Sequence, residues 1–306
     1  MSDSLSRRRW LAGAFGLAAL GAGRPEGALV DTHVHLFDPK RFPYHKSATY
    51  RPPAATLESY TAFVKQAGID HAVIVHPEPY QDDHGYLEYC FAHEPSRGFF
   101  KGTCLFDPVA ADTPARMEAL VKKAPGRIVA LRIHENLPAG KTATTSGPIR
   151  DRDMRHPAMK QTWRAAHQLG LAIQMHFIPR FAPQIGELAA QFRDMPVILD
   201  HLARSGQGTP AEFEQVLKLS QYPRVYMKYS GVSYSSKQPY PYADARPSVR
   251  KVYDAFGSGR ILWGGLGMNM PDFIKASELL DQMFAFAAEG DRARIRGLNA
   301  MELFKF

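Results

Sequence analysis

A single-domain (β/α)8 barrel is the fold this sequence predicts, on three observations. Short apolar, β-branched runs alternate with helical periods along residues 29–306, and eight such runs can be counted. The runs are nearly continuous in apolar character, which marks strands buried on both faces and therefore parallel. No glycine-rich phosphate loop follows the first run, and a doubly wound open sheet, the competing arrangement, would want one.

The elements follow in order. Ala28–Leu36 reads as the first strand, and Phe37–Ala55, rich in Pro and Tyr, as an ordered loop over the barrel mouth. Thr56–Gln66 is the first amphipathic helix and His71–His76 the second strand. Cys90 sits in a helical pattern ahead of a third strand at Gly98–Phe106. The alternation continues through helix Pro114–Lys123, strand Ile128–His134, helix His156–Leu169 and strand Leu171–Phe177. It then runs through helix Pro183–Phe192, strand Pro196–His201, helix Pro210–Leu219 and strand Val225–Ser230. Tyr234–Tyr242 reads as a second mouth loop, before helix Pro247–Phe256, strand Arg260–Gly264 and helix Asp272–Ala287. Several helices carry Pro close to their first turn, where a missing N–H costs nothing.

The chain has 306 residues, 22% of them charged, and this is enough to bury a large core without disulfides or a structural metal. No apolar run reaches the roughly 18 residues of a spanning helix. Residues 1–28 read as a cleaved export signal. Arg7, Arg8 and Arg9 stand before Trp10 and Leu11, and a short Gly- and Ala-rich apolar stretch follows. The paired arginines resemble the twin-arginine type, so export to the periplasm by that machinery is expected. Of the formal charge of +8, the leader supplies +2, from four arginines against two acids. The remaining surplus favours acidic ligands. Outside the leader no basic run with interleaved aromatics appears, so neither nucleic acid nor, after cleavage, a membrane is an expected partner. Cys90 and Cys104 read as packed thiols. Barrels of this kind often pair, so a homo-oligomer is an expectation, but no apolar helix face names an interface.

In a (β/α)8 barrel, chemistry gathers at the carboxyl ends of the strands. His33 and His35 are two apart on the first strand and so share a face. Neutral imidazoles placed this way can chelate one divalent ion. His76, His134, His176 and His201 close the second, fourth, fifth and sixth strands. Each alone is more often a packed side chain than a ligand; the constellation is the signal. Lys228 and Ser230 share a face of the seventh strand. Arg132, Arg180 and Arg204 fall in the same zone. Each alone reads as a rim ion pair, but together they predict a mouth for carboxylates, which Arg grips with a bidentate fork.

Several segments resemble the amidohydrolase superfamily. They are Val30-Asp31-Thr32-His33-Val34-His35, Leu199-Asp200-His201-Leu202, Ile261-Leu262-Trp263-Gly264 and Asn299-Ala300-x-x-Leu303-Phe304. Phe42-Pro43-Tyr44, Tyr50-Arg51-Pro52 and Asp200-His201-Leu202-Ala203-Arg204 narrow the resemblance to the 2-pyrone-4,6-dicarboxylate, sugar and muconolactone lactonases. The resemblance implies that Tyr50 and the arginines contact a small anionic lactone and that His201 serves the chemistry. It implies a divalent metal, zinc or manganese, on His33, His35 and His176, as in the metal-binding members. It also implies a metal-free alternative, as in the dicarboxylate lactonases, where His33 and His35 would donate hydrogen bonds to the carbonyl.

The chain departs from that pattern at strand eight. The family reads Trp-Gly-(Ser/Thr)-Asp-Trp-Pro, with the Asp as general base, and here Leu266 occupies the Asp position. Leucine neither accepts a proton nor binds a cation. Three readings follow: an inactivated lactone hydrolase, a hydrolase using another acid such as Asp38 or Glu135, or a carboxylate-binding pseudoenzyme. A non-oxidative decarboxylase of an unsaturated or aromatic acid is the competing enzyme class.

Overall fold

Each of the eight apolar runs forms a parallel strand, and the strands pair in chain order. They are β1 (Val30–Val34), β2 (His71–Ile74), β3 (Phe100–Cys104), β4 (Ile128–Glu135), β5 (Ala172–Phe177), β6 (Val197–Leu199), β7 (Val225–Tyr229) and β8 (Ile261–Trp263). The computed structural model describes residues 27–306. The export signal expected over residues 1–28 therefore lies, up to residue 26, outside the described residues.

Between the strands run α1 (Leu57–Ala67), α2 (Gly85–Ala92), α3 (Thr113–Lys123), α4 (Pro157–Gln168), α5 (Ala182–Ala189), α6 (Pro210–Lys218) and α7 (Arg246–Phe256). After β8 come α8 (Met270–Met283), α9 (Glu289–Ala293) and α10 (Asn299–Phe304). Local chemistry sets their ends. The Thr56 side chain accepts from the Ser59 N–H at the start of α1, and Gly68, at φ 70°, closes it in a left-handed conformation. Thr209 and Glu212 form a reciprocal capping box on α6. Most strands are a few residues shorter than the sequence predicts, and one helix starts earlier. β6 stops at Leu199 because His201–Arg204 turn into left-handed backbone, with φ between 51° and 56°. α8 starts earlier than predicted because Asn269 caps it by accepting from the Asp272 N–H.

The barrel interior changes character with height. At the amino-terminal end Val30, Val73, Ala130, Ala172, Ile198 and Leu262 pack into one apolar layer, with Ala300 and Phe304 of α10 packed into it. One step up each strand, two residues on, stand Arg132, Gln174, Asp200 and Lys228, all buried. A further step brings His134, His176 and Ser230 to the mouth. The β4–β5 register sets Arg132 opposite Gln174 and His134 opposite His176. Side chains stitch β8 to β1. Thr32 Oγ1 donates to the Trp263 carbonyl at 2.6 Å, and Lys228 Nζ donates to the Thr32 carbonyl at 3.0 Å. Asp31 Oδ1 accepts from both the His33 and Gly265 N–H groups, each at 2.9 Å.

Two long loops rise over the mouth. The first is pinched at its base, where Phe37 and Ala55 exchange backbone hydrogen bonds of 2.8 Å. The second, between β4 and α4, is tied down by Asp151 Oδ1, which accepts from the Asn136 N–H at 2.7 Å, and by Glu135 Oε1, which accepts from the Arg152 N–H at 3.1 Å. Burial, reinforced by the neighbouring Asp151, pushes the Glu135 carboxyl up to about 9. The folded protein therefore holds it protonated at neutral pH, whereas in the unfolded chain it ionises near an ordinary ~4.3. Its stabilising contribution is complete below that value and is lost as pH climbs toward 9. Glu135→Gln removes this dependence. The variant's melting temperature, relative to the parent's, should rise steadily between pH 5 and pH 8, and an unchanged gap would contradict the assignment.

Candidate active site

A cavity of about 420 Å³ opens at the carboxyl ends of the strands. His35, His134, His176 and His201 line it, with Arg132, Arg150, Arg204, Glu78, Asn136, Tyr50, Tyr234 and Leu266. The mouth-loop reading of the sequence thus has a direct counterpart, since Tyr50 and Pro52 come from the loop after β1 and Tyr234 from the loop after β7.

The imidazoles form one arc. Successive ring centroids from His35 through His33, His201 and His176 to His134 lie 4.9, 4.5, 5.2 and 5.1 Å apart. Burial lowers the pKa of all five; His35 and His201 fall to about 3, so the arc is neutral at physiological pH. Tautomers follow from the partners. His35 Nδ1 meets the Val75 carbonyl at 2.7 Å and must donate to it, which leaves His35 Nε2 bare. That nitrogen lies 3.2 Å from His33 Nε2, so His33 donates its hydrogen there. His33 Nδ1 is then bare as well, 3.7 Å from Asp200 Oδ1, and both atoms are buried without a hydrogen-bond partner. The donor atoms of His33, Asp200 and His201 all fall within 4.8 Å of one another.

Below the arc Asp200 is fully buried. Its Oδ2 accepts from Arg132 Nε at 3.2 Å, Arg132 Nη2 at 3.1 Å and Gln174 Nε2 at 3.1 Å. Lys228 Nζ stands 3.4 Å from Oδ1. Burial by itself would raise this carboxyl, yet the Lys228 ammonium and the Arg132 guanidinium, with His33, hold it well below the usual range. Burial also brings the Lys228 ammonium down to about 8.

His201 and Arg204 reach the cavity from the left-handed turn after β6. Each such residue costs roughly 1–2 kcal/mol of backbone strain. The turn is anchored where His201 Nδ1 meets Ser230 Oγ at 2.9 Å and Arg204 packs over the Tyr234 ring, 4.6 Å from its centroid. Arg204 Nη1 donates to Asn136 Oδ1 at 2.9 Å and to His176 Nε2 at 3.1 Å. His176 therefore presents its lone pair to Arg204, and the structure does not bring it to the His33–His35 pair. Nor is Arg180 on this cavity wall. Its Nη1 donates to the Leu137 carbonyl, and it lines a neighbouring depression beside α4 and α5. Leu266 stands on the wall, 38% exposed and at φ 56°.

Sequence reasoning missed Glu78 and Arg150. Neither ends a strand. Glu78 follows β2 in a short 3-10 turn, held by Gln81 Nε2 at 2.9 Å, and Arg150 lies in the β4–α4 loop. Asp38 and Glu135, named from sequence as substitute acids, are absent from the cavity wall. Among the described residues that line it, Glu78 is the carboxylate.

Residues 30–306 match the amidohydrolase family. The chain belongs to that family. Among curated proteins it is 26% identical over 239 residues to the 4-sulfomuconolactone hydrolase of Hydrogenophaga intermedia, covering 76% of this chain and 72% of that one. It is 25% identical over 299 residues to the L-fucono-1,5-lactonase of Burkholderia ambifaria, covering 90% and 95%. Among solved structures, a probable 2-pyrone-4,6-dicarboxylic acid hydrolase from Acinetobacter baumannii with citric acid bound superposes with a TM-score of 0.70. That pair shares 20% identity and covers 91% of this chain and 99% of the other, a likeness of fold. This amidohydrolase has its barrel mouth built around one buried carboxylate. Asp200→Ala would strand the Arg132 and Lys228 charges, and the expected loss of about 3–5 kcal/mol should be visible in urea unfolding. A loss below 1 kcal/mol would show that water already screens them.

Proposed function

We propose that this amidohydrolase opens a lactone that carries a further carboxylate or similar anionic group. One observation carries the reading: four of the five neutral histidines and three guanidiniums, Arg132, Arg150 and Arg204, line one cavity. The lactone-hydrolase names of the relatives support it.

The donor set suits a divalent cation. Two nitrogens bound tetrahedrally to zinc at about 2.0–2.1 Å sit roughly 3.3 Å apart, close to the 3.2 Å between His33 and His35 Nε2. Releasing the hydrogen between those nitrogens lets His33 carry it on Nδ1, toward Asp200, and so pairs both orphaned atoms. His33 and His35, with Asp200 behind them accepting from His33, would hold the ion. An imidazole-rich set favours zinc over manganese. When bound, such an ion polarises a carbonyl and acidifies water.

The chain's own groups supply the rest. Arg132, Arg150 and Arg204 grip the anionic substituent and orient the ring, with Tyr50 closing over it. When Ser230 Oγ–H donates to His201 Nδ1, His201 keeps its hydrogen on Nε2 and offers it to the developing oxyanion. Glu78 takes a proton from the attacking water. The acyl C–O bond then breaks, and the ring alkoxide recovers a proton from Glu78 to give a hydroxy acid. Leu266 favours one second reading, a carboxylate-binding protein without turnover. A decarboxylase would instead release carbon dioxide and leave lactones closed. We also propose that the leader directs this chain to the periplasm through the twin-arginine machinery, and that the barrel self-associates there.

On an anionic-lactone panel, His201→Ala should lower kcat by roughly 10²–10⁴-fold, and unchanged turnover would remove His201 from the scheme. Leu266→Asp should raise turnover, and both proteins should retain about one zinc per chain by elemental analysis, a content lost in His33→Ala. Tight carboxylate binding with no turnover by either protein would establish the second reading. Burial raises the Glu78 carboxyl, and only its ionised form accepts a proton, so the rate should climb with pH through a value above an ordinary ~4.3. Glu78→Gln should abolish that limb, and a Gln variant with the parent's pH profile would exclude Glu78.

A further inference from the structure

A second cavity, of about 330 Å³, lies beside the first, between the ends of β7 and β8 and the start of α8. Leu266 belongs to the walls of both. Gly264 and Gly265, which carry no side chains, line the second cavity beside it. A Cβ on Gly264 would come within 2.7 Å of the His33 Cβ, so this strip is kept thin where it passes the histidine arc.

The two cavities differ in chemistry. The first is dominated by arginine. The second is aromatic, with Tyr240, Tyr242 and Trp263 on its walls, and its charged residues, Lys275 and Asp272, are of opposite sign. It therefore offers an anion no net attraction. Tyr240 and Leu266 are left 39% and 38% exposed here, an apolar surface open to solvent that needs a reason. Leu266 also holds a left-handed backbone, at φ 56°, which costs a branched side chain roughly 1–2 kcal/mol. Strain retained to keep an exposed apolar side chain between two cavities points to a ligand that touches it. A ligand crossing that partition meets no charge there. A cavity near 150 Å³ accommodates benzene, so this volume suits an aromatic ring and a short link.

We infer that the second cavity receives an uncharged aromatic ring carried by the substrate, which makes that substrate an aryl-substituted lactone lying across Leu266. The substrate class rests on the lactonase reading above; the binding assignment does not. The test is calorimetric titration of the full mature chain with two hydroxy acids, 4-hydroxy-4-phenylbutanoate and 4-hydroxybutanoate. Burial of the phenyl group should tighten binding about tenfold or more. Ala276→Trp, which fills the cavity from α8, should erase that preference while leaving the affinity for 4-hydroxybutanoate unchanged. Ser233→Phe, from the opposite wall, should do the same and serves where the first variant does not fold. Equal affinities in the parent, or a phenyl preference that survives both substitutions, would overturn the inference. Turnover of 5-oxotetrahydrofuran-2-carboxylate and its 2-phenyl derivative, lactones that carry the anionic group, is measured alongside. A phenyl-dependent affinity without turnover of either lactone would uphold the cavity assignment and defeat the hydrolase reading alone.

Discussion

The mouth of this barrel depends on a single buried carboxylate. Asp200 gathers Arg132 from β4, Gln174 from β5 and Lys228 from β7, and it faces His33 from β1. Buried charges are tolerated only when paired and hydrogen-bonded. Five strands are therefore locked in relative height by one electrostatic requirement. The apolar layer beneath it provides a dry floor, and the histidine arc above it inherits its geometry. Lys228 reaches across to the Thr32 carbonyl as well, so the same network helps close β8 onto β1.

Burial that locks the network also sets the protonation of the site. The five imidazoles are neutral because they are desolvated beside fixed cations, and neutral imidazole is the form that binds metals or relays hydrogen bonds. Arg132 is largely committed to Asp200, which leaves Arg150 and Arg204 as the guanidiniums carried by loops. Arg204 reaches the site by way of four successive left-handed residues, an arrangement that persists because Ser230, Asn136 and Tyr234 hold it from three directions. Local strain near a site of convergent side chains is what a turn devoted to positioning looks like.

Leu266 leaves the boundary between an arginine-lined cavity and an aromatic one without a charge of its own. In the reaction we propose, polar chemistry at the mouth rests with His201 and Glu78, both buried and both held by neighbouring side chains, Ser230 and Gln81. Glu78, in a short turn after β2, does not sit where strand-end reasoning alone would have sought a base.

Much of this molecule was legible in its sequence. Apolar period and turn chemistry are local properties, so all eight strands and most helices could be read from them, with errors of a few residues at the ends. The face shared by His33 and His35 follows from strand geometry, and the placement of His134, His176 and His201 at the mouth follows from their being strand ends. Loop side chains were not legible. Arg180 and Arg204 each follow a strand-end histidine at a short interval, yet one turns away toward Leu137 and the other turns in over Tyr234. Glu78 and Arg150 entered the cavity, and Asp38 and Glu135 did not. By itself the sequence determined the barrel and the histidine-rich strand ends, because strand periodicity dictates where those side chains point, and its resemblance to the amidohydrolases implied the missing acid at Leu266. Only the tertiary structure decided which loop residues face the cavity and that a second cavity adjoins it. The reason is that loop direction is set by long-range contacts, with no period of its own to reveal it.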